Sequence, residues 1–194
     1  MEIGNIFNEP AQNKTDFLFG LLEQQVNAAY IGEVISQLEH SVQAAQAAEK
    51  VTQDPTIILA ALFHDIGHFV PGYQELECME EYGVKDHDKI GADFLMKMGF
   101  PEKMCLLVAS HVDAKRYLCY KKKNYWSRLS EASKKTLEFQ GGKMTLQEAE
   151  LFENDPLFEW YLKIRIWDEK AKESGISTER TTHYKKLCLE LLEV

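Results

Sequence analysis

The sequence has no excess of basic residues, no paired cysteines and no long apolar run. Acidic side chains (31) outnumber Lys and Arg (22), for a formal net charge of −9, and the short basic patch at 121–123 does not reverse the resulting repulsion of phosphate backbones. We therefore expect no nucleic-acid partner. The four cysteines have no CxxC spacing, which argues against a zinc knuckle or a disulfide framework.

Signals for export and for membrane insertion are also missing. The first residues contain neither the basic nor the apolar region of a signal peptide, and the apolar run at 55–70 is too short and too polar to cross a bilayer. We therefore expect a cytoplasmic protein with no membrane partner. The sequence does not give the oligomeric state, and a monomer is the working assumption.

Alternating, strand-like patterns are almost absent, whereas helical patterns dominate. Asp-Pro pairs at 54–55 and 155–156 are typical helix starts, and Gly67, Gly99 and Gly141 are typical helix ends. The predicted helices span 15–30, 32–51, 55–67, 86–98, 101–118, 127–140, 145–153, 156–173 and 180–193, with a loop at 69–83. The chain is thus predicted to be all-α, and its 194 residues with 45% hydrophobic content suit one domain over 1–194.

Two polar residues interrupt an otherwise apolar stretch, Ala61-Leu62-Phe63-His64-Asp65-Ile66-Gly67-His68. A carboxylate in such a run is costly to desolvate unless a cation or a hydrogen-bond donor meets it. If the run is helical throughout, His64 and Asp65 point about 100° apart, so that the imidazole can bind one ion while Asp65 bridges two. A metal ion is the expected partner of Asp65.

Further candidate ligands lie at regular intervals along the chain. Steps of 24, 22 and 24 residues separate His40, the His64-Asp65 pair, His87 and His111, and each spans about one helix and its connection. Successive helices can therefore bring ligands to a common centre. The candidate set is His40, His64, Asp65, His87, His111 and Asp168. Six ligands favour two ions, and nitrogen and oxygen ligation suits iron or manganese while leaving zinc and nickel open; the alternative is that some histidines are hydrogen-bonded core residues.

Two basic residues are placed to line the same centre. Lys115 lies one helical turn after His111, and Arg165 lies three residues before Asp168. Both side chains suit an anionic substrate group, and charge balance for the acidic residues is the alternative. Three polar residues on one face of the helix predicted at 127–140 either bind the same anion or serve in capping and solvation: Ser133, Thr136 and Gln140.

Three more residues are candidates by their helical spacing. His68 follows His64 by four positions, so it either touches substrate or supports a metal ligand, or else it interacts with the carbonyls of a helix end. Tyr30 and Glu33 lie on one stripe with His40 if the helix is continuous. They then bind metal or close over substrate, and the alternative is a half-buried Tyr with a solvent-facing Glu.

The six ligands together resemble the ligand set of the HD-domain mixed-valence di-iron oxygenases, the family of myo-inositol oxygenase. Longer motifs are similar to the PhnZ-like branch, the glycine-forming 2-amino-1-hydroxyethylphosphonate dioxygenases. These motifs are Tyr30-Ile31-Gly32-Glu33, Gln37-Leu38-Glu39-His40, His111-Val112-Asp113-Ala114-Lys115, Ser133-Lys134-Lys135-Thr136-Leu137-Glu138-Phe139-Gln140 and Lys163-Ile164-Arg165-Ile166-Trp167-Asp168. The resemblance covers nearly the whole chain and implies an HD-domain helical bundle with a dinuclear metal site in its core.

The same resemblance implies a reaction in which two iron ions, cycling between Fe(II) and Fe(III), use O2 to cleave the C–P bond of a small anionic organophosphonate. Asp65 would bridge the irons. One iron would take His40, His64 and Asp168, and the other His87 and His111. The phosphonate would be held by Lys115, Arg165, Ser133 and Gln140, while Tyr30 and Glu33 would respond to substrate binding.

Two functional questions stay open from the sequence. The resemblance implies 2-amino-1-hydroxyethylphosphonate or its N-methylated or N-trimethylated analogue as substrate, because by that resemblance Tyr30 and Glu33 fit a primary amine best without excluding a quaternary one. The reaction class has an alternative, in which an HD-domain phosphohydrolase attacks a small phosphate ester or nucleotide with a metal-bound water. A catalytically silent module that binds a signalling nucleotide is a third reading.

Overall fold

The structure, a computed structural model, describes residues 3–25, 35–72, 78–175, 177 and 179–193. Within these ranges the protein is all-α, as predicted, with two short 3-10 helices at Ile66–His68 and Glu80–Tyr82. The α-helices are α1 (Ile3–Ile6), α2 (Ala11–Glu23), α3 (Gln37–Glu49), α4 (Pro55–Leu62), α5 (His87–Met98), α6 (Glu102–Ala109), α7 (His111–Lys121), α8 (Tyr125–Arg128), α9 (Glu131–Phe139), α10 (Leu146–Glu153), α11 (Phe158–Lys170) and α12 (Thr181–Leu192). None of the described helices is long and apolar enough to cross a membrane.

The helix starts follow from local capping chemistry. The side chain of Asp54 accepts a hydrogen bond from the backbone N–H of Thr56, with Pro55 at the first helical position of α4, as predicted. Ser36 and Glu39 form a reciprocal capping box at the start of α3. At the other end of a helix, Gly99 takes a left-handed conformation that terminates α5.

The helix predicted at 55–67 was wrong in its second half, because α4 ends at Leu62. The Nδ1 atom of His64 lies 2.8 Å from the carbonyl oxygen of Ala61, which a continuing helix would bond to Asp65. A side chain that takes a backbone carbonyl in this way competes with the helix. His64 and Asp65 therefore lie in a turn before the 3-10 helix, and the predicted angle of about 100° between them does not apply.

The helix predicted at 101–118 was also wrong, because it is two helices broken at Ser110. The Ser110 hydroxyl donates to the carbonyl of Leu107, and the His111 ring lies 2.9 Å from that of Val108. The segment 127–140 is likewise divided into α8 and α9, and α11 begins at Phe158 rather than at 156. The break at Ser110 makes His111 the first residue of α7.

One large apolar core joins elements from α1 to α12. Its centre is α4, whose eight residues include no exposed one, and α3, α6, α11 and α12 pack around it. This continuity supports our proposal that the chain is one domain. A smaller cluster of Tyr117, Leu118, Tyr125, Leu129, Met144 and Ala149 packs under α7, α8 and α10. The metal-ligand candidates lie between α3, the end of α4, α5, α7 and α11.

Candidate metal centre

Four buried imidazoles are oriented by backbone carbonyls. In three of them Nδ1 lies 2.8–3.0 Å from the carbonyl oxygen three residues earlier in the chain: His64 with Ala61, His87 with Val84, and His111 with Val108. The fourth, His40, reaches across the fold to the carbonyl of Ala171 at 2.9 Å. A carbonyl can only accept, so each Nδ1 carries a proton and each Nε2 is the ring nitrogen left to bind a metal.

The four Nε2 atoms form two groups, one on each side of Asp65. In the first group, the Nε2 atoms of His40 and His64 are 3.1 Å apart and lie 3.6 and 3.4 Å from Oδ2 of Asp65. Oδ1 of Asp168 completes this group at 3.3 Å from His40 and 3.7 Å from His64. Four donor atoms from three distant parts of the chain thus surround one point.

The second group uses the other oxygen of the same carboxylate. The Nε2 atoms of His87 and His111 are 3.0 Å apart, and Oδ1 of Asp65 lies 3.4 Å from the first and 3.5 Å from the second. The structure therefore brings all six predicted ligands together and places Asp65 between the two groups.

The donor set fits two metal ions. Donors about 2.1 Å from a common ion lie about 3.0–3.4 Å apart in octahedral or tetrahedral geometry, which is close to the separations within both groups. Two imidazole lone pairs that face each other at 3 Å repel unless a positive charge lies beside them. Nitrogen and oxygen donors without thiolate suit iron, manganese, zinc or nickel.

The electrostatics of the centre also favour cations. Burial opposes ionisation of Asp65, but His64 and His87 outweigh it and hold the pKa of Asp65 well below its usual value. The same holds for the pKa of Asp168, where Arg165 and His40 outweigh burial. Burial and the neighbouring His87 lower the pKa of His111 to about 3. At two other histidines burial is outweighed, because Asp65 raises the pKa of His64 well above its usual value and also raises that of His87. The two anionic carboxylates thus attract positive charge to these imidazoles, and a metal ion that binds there displaces the imidazole protons.

His68 differs from the four ligand candidates in its hydrogen bonding. Its Nδ1 accepts a hydrogen bond from the backbone N–H of Val84 at 3.2 Å, so its Nε2 carries the proton and is a donor. The ring stacks on His87 with centroids 3.9 Å apart. Burial and the nearby charge of His87 lower the pKa of His68 well below its usual value. A neutral His68 is therefore suited to touch a bound anion rather than to bind metal.

A cavity of about 60 Å³ opens beside the metal-ligand candidates. Two buried cations line it, as predicted: Lys115, which is 4% exposed, and Arg165, which is 5% exposed. The Lys115 ammonium donates to the hydroxyl of Thr136 at 2.9 Å. Burial and the proximity of Arg165 lower the pKa of Lys115 to about 7. The other predicted contacts that line the cavity are His68, Ser133, Thr136 and Gln140.

Sequence reasoning missed several residues of this cavity. Met79, Tyr82 and Lys172 are among them. Lys172 had a signal, because it follows Arg165 by seven positions and shares its face in the helix predicted at 156–173, although α11 ends at Lys170. Met79 and Tyr82 belong to the segment predicted as a loop. The predicted residues Tyr30 and Glu33 lie outside the described residues.

Comparisons with known proteins place this chain in a family. The HD domain model matches residues 38–151. The chain is 34% identical over 181 residues to the 1-hydroxy-2-(trimethylamino)ethylphosphonate dioxygenase (glycine-betaine-forming) of Leisingera caerulea. This alignment covers 93% of the chain and 91% of the relative. It is 34% identical over 194 residues to the hydroxymethylphosphonate dioxygenase of Gimesia maris, and this alignment covers 97% of the chain and 94% of the relative.

A third relative is an uncharacterized protein of Acanthamoeba polyphaga mimivirus, 39% identical over 175 residues, with 90% of this chain and 80% of the relative covered. The matches to the family model and to the two dioxygenases both span the four histidines at 40, 64, 87 and 111 and the aspartate at 65. The chain therefore belongs to the HD-domain family, as a PhnZ-like HD oxygenase.

Proposed function

We propose that the protein is a di-iron oxygenase that uses O2 to cleave the C–P bond of a small 1-hydroxyphosphonate. The expected reaction converts 2-amino-1-hydroxyethylphosphonate and O2 to glycine and phosphate, or an N-methylated analogue to the corresponding amino acid. The observation that carries the proposal is the position of Asp65 between two groups of nitrogen and oxygen donors, next to a cavity lined by Lys115 and Arg165. The family relationship supports the same reaction class.

The metal ligands are proposed in two sets that share Asp65. The first iron would be held by His40, His64 and Asp168, and the second by His87 and His111. The chemistry that the iron pair supplies when bound is the activation of O2 and the oxidation of the carbon that carries phosphorus. The carbonyl bonds of the four Nδ1 atoms would keep the rings in position during turnover, because they fix both ring orientation and tautomer.

The substrate's phosphonate is proposed to lie between Lys115 and Arg165. Two cations in a buried cavity match the two negative charges of a phosphonate, and Arg adds a planar set of donors. The hydroxyls of Ser133 and Thr136 and the amide of Gln140 would donate to remaining oxygens. With the anion held there, the carbon bound to phosphorus would face the metals, and a cavity of about 60 Å³ suits a substrate of few atoms.

The amine end of the substrate is the part that needs an experiment. Tyr30 and Glu33 are proposed to respond to substrate binding, and they lie outside the described residues. Within the described ranges, Met79 and Tyr82 contribute to the cavity wall. The two dioxygenase relatives are named for a trimethylamino substrate and for hydroxymethylphosphonate, so both compounds belong in the test beside the primary amine.

The test is incubation of iron-loaded protein with each of the three hydroxyphosphonates under O2. We expect equal amounts of phosphate released and O2 consumed with one of them, and no phosphate without O2. Absence of both signals with all three compounds would reject the proposal. Zinc-loaded protein is the control, because a redox-inert ion cannot support the reaction. If the zinc form instead releases phosphate from phosphate esters without O2, the protein is a phosphohydrolase.

A further inference from the structure

The guanidinium of Arg165 is fixed from two directions. Its Nε donates to the phenol oxygen of Tyr125 at 3.2 Å, and its Nη1 donates to Oδ2 of Asp168 at 2.5 Å. Because all guanidinium N–H groups lie in one plane, two hydrogen bonds from different nitrogens fix both the position and the tilt of that plane. Arg165 therefore presents its other N–H groups in one orientation.

Tyr125 is itself held in place by an acidic residue. The Tyr125 hydroxyl donates to Oε2 of Glu169 at 2.7 Å, and this bond turns the lone pairs of the phenol oxygen towards Nε of Arg165. Burial raises the pKa of Tyr125, so the phenol stays protonated and keeps its role as donor to Glu169. The chain of hydrogen bonds thus runs from Glu169 through Tyr125 and Arg165 to Asp168, a proposed metal ligand.

Tyr125 lies behind the anion cavity rather than in its wall. It is 5% exposed and packs in the smaller apolar cluster under α7, α8 and α10, and among the described residues it is absent from the cavity lining. A bound anion is therefore touched by Arg165 and not by Tyr125. Any effect of Tyr125 on the anion must pass through the guanidinium.

We propose that Tyr125, oriented by Glu169, is a positioning residue that holds Arg165 for binding the anionic group of the substrate. Without the phenol oxygen, Nε loses its acceptor in a buried position, and the guanidinium is free to turn and form a two-bond contact with Asp168. Both changes draw Arg165 away from the anion. The inference rests on the proposed function, because the anion is taken to be the phosphonate of the substrate.

Tyr117 supplies a matched control for substitution of Tyr125. It is also 5% exposed, belongs to the same apolar cluster, and donates its hydroxyl to a carboxylate, Glu153, at 2.6 Å. Tyr117→Phe and Tyr125→Phe thus both remove a phenol–carboxylate hydrogen bond and are both expected to lower the thermal midpoint, Tyr125→Phe more because Arg165 also loses an acceptor. Only the second removes a bond to Arg165.

The experiment compares both variants with the wild type as iron-loaded proteins. Tyr125→Phe is expected to raise KM about tenfold and to weaken the binding of inorganic phosphate, measured by calorimetry, by the same factor. Its kcat and its iron content are expected to change less than threefold. Tyr117→Phe is expected to match the wild type in KM and in phosphate binding. Equal phosphate affinities for the two variants would overturn the proposal.

A second measurement tests whether Tyr125 acts through Arg165. Lys has no counterpart of Nε, so the effect of Tyr125→Phe on phosphate affinity should disappear in an Arg165→Lys background. The same tenfold loss in both backgrounds would overturn the inference. Phosphate binding separates this result from the proposed reaction. If the protein fails to oxidise hydroxyphosphonates but Tyr125→Phe still weakens phosphate binding, the reaction is rejected and the positioning role stands.

Discussion

Gly67 and Gly91 meet backbone to backbone, where the first 3-10 helix crosses the start of α5. A Cβ atom on Gly67 would overlap the carbonyl oxygen of His87 and lie 2.8 Å from the amide nitrogen of Gly91. This contact joins the turn that carries Asp65 to the helix end that carries His87. The close approach of the Asp65 turn to His87 therefore depends on two residues without side chains.

Substitution Gly67→Ala is expected to destabilise the protein and the metal centre together. The new methyl group can only displace backbone atoms, so we expect the free energy of unfolding to fall by about 3 kcal/mol, at the upper end for overpacked cores. We also expect the protein to bind less than one iron per chain. Thermal unfolding and metal analysis measure both. Gly20→Ala is the control, because a Cβ there meets nothing within 4 Å; within α2 it should be neutral or stabilising. A Gly67→Ala protein with normal iron content would contradict this role.

Asp65→Asn is expected to abolish the binding of two metals. The amide keeps the shape of the carboxylate but loses the charge that both groups of imidazoles face, and an amide is a poor bridging ligand. Metal analysis and EPR of the partly reduced, iron-loaded protein check the result. Asp93→Asn, at an exposed position of α5, should retain the metal pair. An unchanged di-iron signal in the Asp65 variant would show that this residue does not bridge.

Lys115→Ala is expected to weaken phosphonate binding while leaving the iron content near normal. A buried hydrogen bond from a charged donor contributes about 1.5–3 kcal/mol, so KM should rise about 10- to 100-fold. Steady-state kinetics and metal analysis measure the two quantities separately. Loss of the metals in this variant would mean that Lys115 supports the metal centre rather than the anion.

The pH dependence of substrate capture should report Lys115. Because its pKa is lowered to about 7, the ammonium is charged below that pH and becomes neutral as the pH rises through it. We therefore expect kcat/KM, which reports groups of the free enzyme, to fall above about pH 7. Lys115→Arg stays charged and should lose this fall, whereas ionisation of the substrate itself affects both proteins alike. An identical profile in the variant would assign the fall to another group.

Removal of metal with a chelator should lower the thermal midpoint. Ions that bind only the folded chain stabilise it by about 2.7 kcal/mol at a concentration 100 times the dissociation constant, and here they also compensate the buried charges of Asp65 and Asp168. Scanning calorimetry with and without added iron measures the change. The Asp65→Asn protein is the control and should respond little. A wild-type thermal midpoint that is the same with and without metal would argue against metal binding at this centre.

Much of the fold and the ligand set could be predicted from the sequence, because both depend on residue type and spacing. Regular intervals of about one helix and its connection were enough to suggest that five of the six side chains converge, and Asp168 was added as a late aspartate outside these intervals. The helix ends at Leu62 and Ala109 were not predictable from periodicity, since the apolar pattern continues through both. What ends these helices is an imidazole bonded to a carbonyl three residues earlier, and that competition becomes visible only with coordinates.

The supporting residues were harder to find than the ligands. Tyr125 lies 40 residues before Arg165 and in a short helix of its own, so no spacing rule links the two. The role of Gly67 as a contact with α5 was also missed, because this glycine was interpreted as a helix end. Pairs formed by tertiary packing leave no periodic trace in the chain.

The carbonyls that orient the four rings differ in their separation in sequence from the histidines they contact. Three rings are oriented by a carbonyl nearby in the sequence, so a single turn of the chain is enough to fix the orientation of each of these imidazoles. The ring of His40 depends on residue 171, at the far end of α11. The orientation of both rings in the second group is thus fixed locally, whereas the first group also depends on the packing of the distant residue 171 against α3.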